Sequence, residues 1–459
     1  MTASRDVASA ALAKAASATA WIELPEPVQH QVEDLFLDTL AVVAAGMTHP
    51  GYRAFAKAMA EGAGGATVLG MGQRFPPLVA TMLNGGATTV HQLQDIHRLG
   101  RSHPASHIVP AIFALGEERG ASAEQLFTAF TAGYETGARV GIALGGLQDQ
   151  LHDAGTWGTI AAAAAAAHLI TGGDADKIAA AIDAAAAVAL FPYRETPMAG
   201  ATIHHLYIGL GAGIGVTVGK AVAAGLTALP GTLEDFFGPR AGQAFDANKL
   251  TAGIGANGRW SHFELLNAHF KVHSVCGHIA TVMDALMKLI SSQRIGGAEV
   301  KGVDIAIYAT ALQYNTAEPA NDLAARFSIS TMAALALIHG PAYATRMTDG
   351  DLAAPAVRDL AARVNVRHAP ALDAEYPKGR PVIVTLELFD GRALSEKAVF
   401  PRGDVTNPID RGERRLKART LLDQAYPGRA GAIVAAFDGF VAGGPITALS
   451  AALGSEIVR

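Results

Sequence analysis

Residues 209–224 read GLGAGIGVTVGKAVAA, and residues 159–170 read TIAAAAAAAHLI. Both stretches have helical length and spacing, and both are built from the smallest side chains. Alanine is the best helix former, and alanine and glycine together let neighbouring helices approach closely. The two stretches therefore predict a densely packed helical body. They also explain a composition that is 50% hydrophobic but only 6% aromatic: the apolar character is carried by alanine.

Outward from this centre the helical spacing continues. Val32, Leu35, Phe36, Leu40 and Val43 recur on one face of Val28–Ala45, behind Pro25 and Pro27, where a helix can begin. The same period runs through Ile108–Glu118, Ala123–Ala143 and Ala175–Ala187. Strand-like alternation is scarce before residue 260. It appears at Val300–Tyr308 and at Pro381–Leu388, where Val382, Val384, Leu386 and Leu388 share a face. Asp390-Gly391 is a hairpin turn signal, with Ala393–Phe400 as the returning strand. Phe327–His339 reads as a helix between these strands, and Asp410–Tyr426 and Gly431–Phe440 are helical again. The expected fold is mainly α: a large all-helical domain over 1–268, a smaller α+β lid domain over 269–402, and a helical tail over 403–459 that returns to the first domain. A cleft between body and lid is where a ligand site is expected.

Composition narrows the function. The chain has 459 residues and a formal net charge of −5, so no sequence-wide basic field draws it to nucleic acid or an anionic membrane. One cysteine, Cys276, excludes an intramolecular disulfide framework and a Cys-based metal site within one chain. A mean hydropathy of +0.24 raises the question of a membrane. The longest apolar stretches, Ile160–Ala167 and Leu206–Val218, fall short of the roughly 20 residues that span a bilayer. Met1–Ala20 carries Arg5, Asp6, Ser9 and Lys14 among alanines and reads as a first helix, not a signal peptide. A soluble, cytoplasmic protein is expected.

Gly253–Gly258 matches G-x-G-x-x-G, but the preceding Phe245–Thr251 is polar and not strand-like, so it reads as a loop and not a dinucleotide fingerprint. Histidine is more informative. His91, His97, His103 and His107 form one cluster and His262, His269, His273 and His278 another, with His152, His168, His204 and His205 between them. No spacing forms a recognised metal-ligand set, and no metal is expected. Histidines in loops near Arg98, Arg101 and Lys271 suit proton transfer on an anionic substrate.

At these residues the chain resembles the MmgE/PrpD family, whose members include 2-methylcitrate dehydratase, cis-aconitate decarboxylase and iminodisuccinate epimerase. The resemblance rests on Asn84-Gly85, Leu93-Gln94-Asp95-Ile96-His97-Arg98 and His103-Pro104. It continues through Gly133-Tyr134-Glu135, His152 ahead of Gly155-Thr156-Trp157-Gly158, and Gly200-Ala201-Thr202 ahead of Tyr207 and Gly209. Phe270-Lys271 ahead of Cys276, Ala325-Arg326-Phe327-Ser328 and Asn407-Pro408 complete it. The family implies a helical domain with an α+β lid, a homodimer, and chemistry without an organic cofactor. A proton beside a carboxylate of a di- or tricarboxylic acid is made labile; water or carbon dioxide is then lost, or the proton returns to the other face. Carried over position by position, the resemblance makes His103, His152 and Lys271 catalytic. It places Gln92, Asp95, His97, Arg98, His204, Tyr207 and Tyr314 at the substrate.

Two motifs depart from the family. Counted from Asn84-Gly85, Gln92 takes the place of an aspartate and Gln94-Asp95 that of a carboxylate pair. Counted from His91, three carboxylates become Gln94, Ile96 and His97. In the family's K-x-x-H-x-G motif the lysine becomes His204 and the histidine Tyr207. An amide accepts no proton as a carboxylate does, and imidazole is a weaker fixed cation than ammonium. The expected activity is a lyase on a small polycarboxylate other than 2-methylcitrate. The alternatives are an isomerase of the same class of acid and a non-catalytic homologue that binds one.

Overall fold

The computed structural model describes residues 7–340, 345 and 347–457. The chain opens with α1 (Ala8–Ser17), α2 (Glu26–Gly46) and α3 (Pro50–Met59), and a small hairpin of β1 (Ala66–Thr67) and β2 (Arg74–Phe75). Then come α4 (Pro77–Ala87), β3 (Ile96–His97), α5 (Pro104–Arg119), α6 (Ala123–Ala143), α7 (Trp157–Thr171) and α8 (Ala175–Val188). The short α9 (Glu195–Met198), the long α10 (Leu206–Ala223) and α11 (Gly238–Ala241) complete the helical body. Of the expected N-terminal helix, α1 is observed, and residues 1–6 lie outside the described residues.

Local chemistry sets the helix ends. Ser122 and Gln125 form a capping box at the start of α6, and Asp174 accepts from two backbone amides at the start of α8. Gly120 and Gly172 take the left-handed conformation that stops α5 and α7. The alanine-rich α7 is the centre of the body, buried from Trp157 to Leu169 on every face. Its neighbours are α5, α6, α8 and α10, and glycine makes two of these approaches possible. A Cβ on Gly137 of α6 would lie 2.4 Å from that of Ala161, and one on Gly215 of α10 would lie 2.6 Å from that of Ala162.

The structure corrects the expected length of the apolar helix. Helical conformation runs without a break from Thr202 to Ala223, 22 residues, which is long and apolar enough to cross a membrane by length and composition. Here α10 packs against α4, α5, α7 and α8 as a core helix.

The α+β part follows β4 (Ala268–His269). It comprises α12 (Ala280–Gln293), β5 (Val300–Ile307), α13 (Asp322–Ala325), α14 (Ile329–His339), α15 (Asp349–Ala353), α16 (Pro355–Ala361), β6 (Val364–His368), α17 (Pro370–Asp373), β7 (Val382–Leu388) and β8 (Ala393–Ala398). The sheet order is β6-β5-β7-β8, with β5 and β6 parallel and the other pairs antiparallel. Val382, Val384, Leu386 and Leu388 are all buried, in one core cluster with residues of α12 and α14. The molecule is thus mainly α, with a smaller α+β part. The last segment comprises α18 (Arg411–Ala425), α19 (Ala430–Val441) and α20 (Ile446–Gly454). α18 lies along α2, where Arg411 and Arg414 each reach Asp34 at 3.3 Å and Lys417 reaches Asp38 at 2.8 Å. The Phe437 ring of α19 stacks on Phe36 of α2 at 6.3 Å.

Gly215→Val should cost at least ~2 kcal/mol, because the added methyls meet α7 backbone and force the helices apart. Gly439→Ala, in α19 with open space around it, should be neutral or stabilising. Denaturant titration of the two variants beside the parent checks the contrast.

Candidate active site

Two histidine-rich segments far apart in the chain meet through a short antiparallel ladder, in which Ile96 of β3 faces His269 of β4 and His97 faces Ala268. Buried polar groups hold the second segment in place. Glu135 on α6 pairs with Arg139 at 2.5 Å and accepts from the backbone amides of Glu264 and Leu265, each at 2.9 Å. His97 reaches Glu264 with one ring nitrogen, and the other accepts from the Gly100 amide at 3.0 Å. The chain leaving β4 therefore delivers Lys271 to Gln92, whose carbonyl accepts from the lysine Nζ at 2.9 Å.

Here the helical body and the α+β part enclose a cavity of about 590 Å³. The body contributes Gln92, His103, His152 and Asp153; Lys271, Cys276, His278, Tyr314 and Arg380 come from beyond β4. Backbone strain gathers at this place. Among the described residues four non-glycines have positive φ; of these Gln92 (φ 52°) and Arg101 (φ 54°) line the cavity, and Gln150 (φ 69°) lies two residues before His152.

The centre of the cavity is an aspartate between two histidines. Asp153 lies 3.4 Å from Nε2 of His103 and 3.3 Å from Nδ1 of His152. His103 stands at the N-cap of α5, and its Nδ1 donates to the Asp95 carbonyl. That bond leaves the Nε2 lone pair free to take a proton. His152 is set the other way: its Nδ1 accepts from the Ala154 amide at 3.0 Å, so Nε2 carries the proton. Burial holds His103 down to about 3 against the pull of Asp153, and it also lowers His152. Both rings are neutral near pH 7, one as an acceptor and one as a donor.

Burial pushes Asp153 upward, but His152, His103 and Lys271 outweigh it and keep the carboxyl below its usual range. Lys271 is only 3% exposed, and burial brings its ammonium down to about 8, with Arg380 and Lys417 adding to the shift. An amine with that value exchanges protons near neutral pH, and its charged form can hold a carboxylate.

Of the ten residues expected at the site, six line the cavity: Gln92, Arg98, His103, His152, Lys271 and Tyr314. Four do not line it. Asp95 is interior and caps α5, accepting from the Ala105 and Ser106 amides at 3.0 and 3.2 Å. His97 is interior and braces Glu264. His204 lies behind His152, with ring centroids 4.8 Å apart, and its Nε2 is 3.2 Å from the Gln92 amide nitrogen. Tyr207 turns its hydroxyl to Thr196 at 2.8 Å.

The sequence reading missed Asp153, Arg194 and Arg380, and it named His278 only as one of the second histidine cluster. Asp153 had one available signal, its adjacency to His152. His278 stacks on Tyr314 at 4.7 Å and shares a 2.5 Å hydrogen bond with the Tyr308 hydroxyl. Arg194 donates to the Gln313 side chain, next to Tyr314. Among the described residues no group of three or more His, Cys, Asp or Glu side chains is placed to hold a metal ion.

Comparison with known proteins finds relatives along most of the chain. Residues 10–242 match the MmgE/PrpD N-terminal domain, and residues 273–437 match the MmgE/PrpD C-terminal domain. A cis-aconitate decarboxylase of Aspergillus terreus (strain NIH 2624 / FGSC A1156) is 25% identical over 439 residues, covering 88% of this chain and 87% of the relative. A cis-aconitate decarboxylase-like protein, oryM, of Aspergillus oryzae (strain ATCC 42149 / RIB 40) is 32% identical over 160 residues, covering 32% of this chain and 33% of the relative.

Proposed function

Because the chain belongs to the MmgE/PrpD family, we propose that it is a lyase acting on a small di- or tricarboxylic acid, without an organic cofactor, by moving a proton next to a carboxylate. The observation that carries this reading is the set of buried His103 and Lys271 with partly buried His152 and Asp153 on one cationic cavity. Removing a proton or carbon dioxide beside a carboxylate leaves an electron pair that spreads into an enolate-like polyanion. Fixed cations and hydrogen-bond donors stabilise that charge, and a neutral base with its lone pair exposed starts the transfer. His103 is that base. Asp153 then stabilises the imidazolium, and His152 Nε2–H and the Lys271 ammonium face the developing charge.

Dehydration also needs an acid for the departing hydroxyl. The Gln92 amide on the cavity wall cannot act as one, which leaves that role, like protonation of the carbanion that loss of carbon dioxide creates, to the Lys271 ammonium; the relatives' names favour the decarboxylase type. The same neutral pair of imidazoles also favours a second reading, an isomerase in which one ring removes an α-proton and the other returns it. Incubation with a panel of di- and tricarboxylates, cis-aconitate included, in deuterated water separates the two. Release of carbon dioxide or water with a new alkene supports the lyase; deuterium at the α-carbon with no alkene supports the isomerase. No reaction and no exchange, with ligands still raising the melting temperature, leaves a binding protein.

The same reading takes the assembly to be a homodimer. In support, Val188, Phe191, Tyr193, Ile203, Leu226 and Leu229 expose apolar side chains in the segments around α9 and beyond α10. Sedimentation at micromolar concentration should show twice the 47.3 kDa chain mass; a 47.3 kDa species would overturn the dimer.

A further inference from the structure

Five cationic side chains line the cavity, Arg98, Arg101, Arg194, Lys271 and Arg380, against two carboxylates, Asp149 and Asp153. Three of the cations have protein partners. Arg98 bonds the Lys378 carbonyl at 2.8 Å and pairs with Asp404 at 3.5 Å, Arg194 bonds Gln313, and Lys271 bonds Gln92. Arg101 is exposed at the rim. Arg380 is different: it is partly buried, its Nη1 is fully buried, and that nitrogen has no hydrogen-bond partner among the described residues.

The fold holds this guanidinium in place. The Arg380 backbone amide donates to Val399 at 2.7 Å, just before β7, and Gly379 packs where a Cβ would lie 2.7 Å from the Val399 side chain. A Cβ built on Gly277 would lie 3.6 Å from the Arg380 guanidinium carbon, so the group spreads over the Cys276–His278 wall. A buried donor on a fixed cation without a counter-ion is costly, and a site that tolerates it is matched to an anion that arrives from outside. A planar fork of donors fits a carboxylate by two parallel bonds.

We propose that Arg380 is the receptor for a second substrate carboxylate, remote from the carbon at which the proton moves, and that it selects acids with two or more carboxylates over monocarboxylates. This rests on the carboxylic-acid reading given above and adds a residue to it. Lys271, His103 and His152 serve the reacting end; Arg380 anchors the other end to the α+β part. Such an acid ties the two parts of the molecule together across the cavity, which a monocarboxylate cannot do. The Arg380 charge is felt at the reacting end too, since it contributes to lowering Lys271.

The test is a ligand and mutant cycle read by calorimetric titration. Propane-1,2,3-tricarboxylate, succinate and butyrate are titrated into the parent chain, Arg380→Gln and Arg380→Lys. The tricarboxylate and succinate should bind Arg380→Gln at least ~30-fold more weakly than the parent. Butyrate, weak throughout, should change by less than ~3-fold, and Arg380→Lys should fall between because ammonium lacks the fork. Melting temperatures without ligand should match, which shows that the variants fold. Equal losses for all three acids, or no loss for the tricarboxylate, would overturn the subsite alone. A parent chain that binds none of the acids would overturn the carboxylic-acid reading together with the subsite.

Discussion

Lys271→Met should lower turnover by at least ~10²-fold while leaving the melting temperature at pH 7 unchanged or higher. The catalytic loss is the scale of a missing proton-transfer or charge-stabilising group. The stability result follows from burial: the ammonium is 3% exposed and gains one backbone acceptor, the Gln92 carbonyl, whereas methionine fills similar volume with no charge to desolvate. A second readout separates this from a structural role. Burial brings the folded-state value from the ordinary lysine value of 10.5 to about 8. Between these values the unfolded chain binds the proton and the folded chain does not, so Lys271 makes stability rise with pH from about 8 to 10.5. Below that window both states are protonated and the folded state carries the burial cost. Melting temperatures of the parent relative to Lys271→Met should climb across the window. A variant with more than half the parent activity and a parallel pH profile would show a lysine that only fills space.

His103→Gln should lower kcat by ~10²- to 10⁴-fold with little change in KM, because glutamine keeps a polar side chain but cannot take up a proton. The ring is held at Nδ1 by the Asp95 carbonyl, and Asp153 lies 3.4 Å from Nε2, placed to stabilise the proton once it arrives. Asp153→Asn removes only the group that stabilises the imidazolium, so its loss should be smaller, about 10- to 10²-fold. The double variant should be little worse than His103→Gln alone, since the two act as a unit. Fully additive losses would separate Asp153 from the histidine.

The helical body was legible because periodicity and composition agreed along it. The hairpin of β7 and β8 was legible because Asp390-Gly391 and the alternation Val382, Val384, Leu386, Leu388 are both local signals. β6 was not: Val364–His368 alternates weakly, and it pairs in parallel with β5 from a distant part of the chain. At the site, His103, His152 and Lys271 were found through motif context. Asp95 and His97 sit in an equally strong motif, yet they cap α5 and brace Glu264. A motif reports that side chains are constrained, not whether a ligand or the protein's own backbone constrains them. Arg380 carries no spacing signal and Asp153 only its adjacency to His152, since an isolated charge gains meaning only from what folds around it.

The bond between Lys271 and Gln92 joins positions 179 residues apart, while the helices of the body form from near neighbours. The sequence before β4 therefore carries both histidines but not the lysine that completes the set. Closing so long a loop is slow compared with helix growth. The set of His103, His152 and Lys271 is therefore assembled only once the β3–β4 ladder has closed, a late step in the folding of the chain.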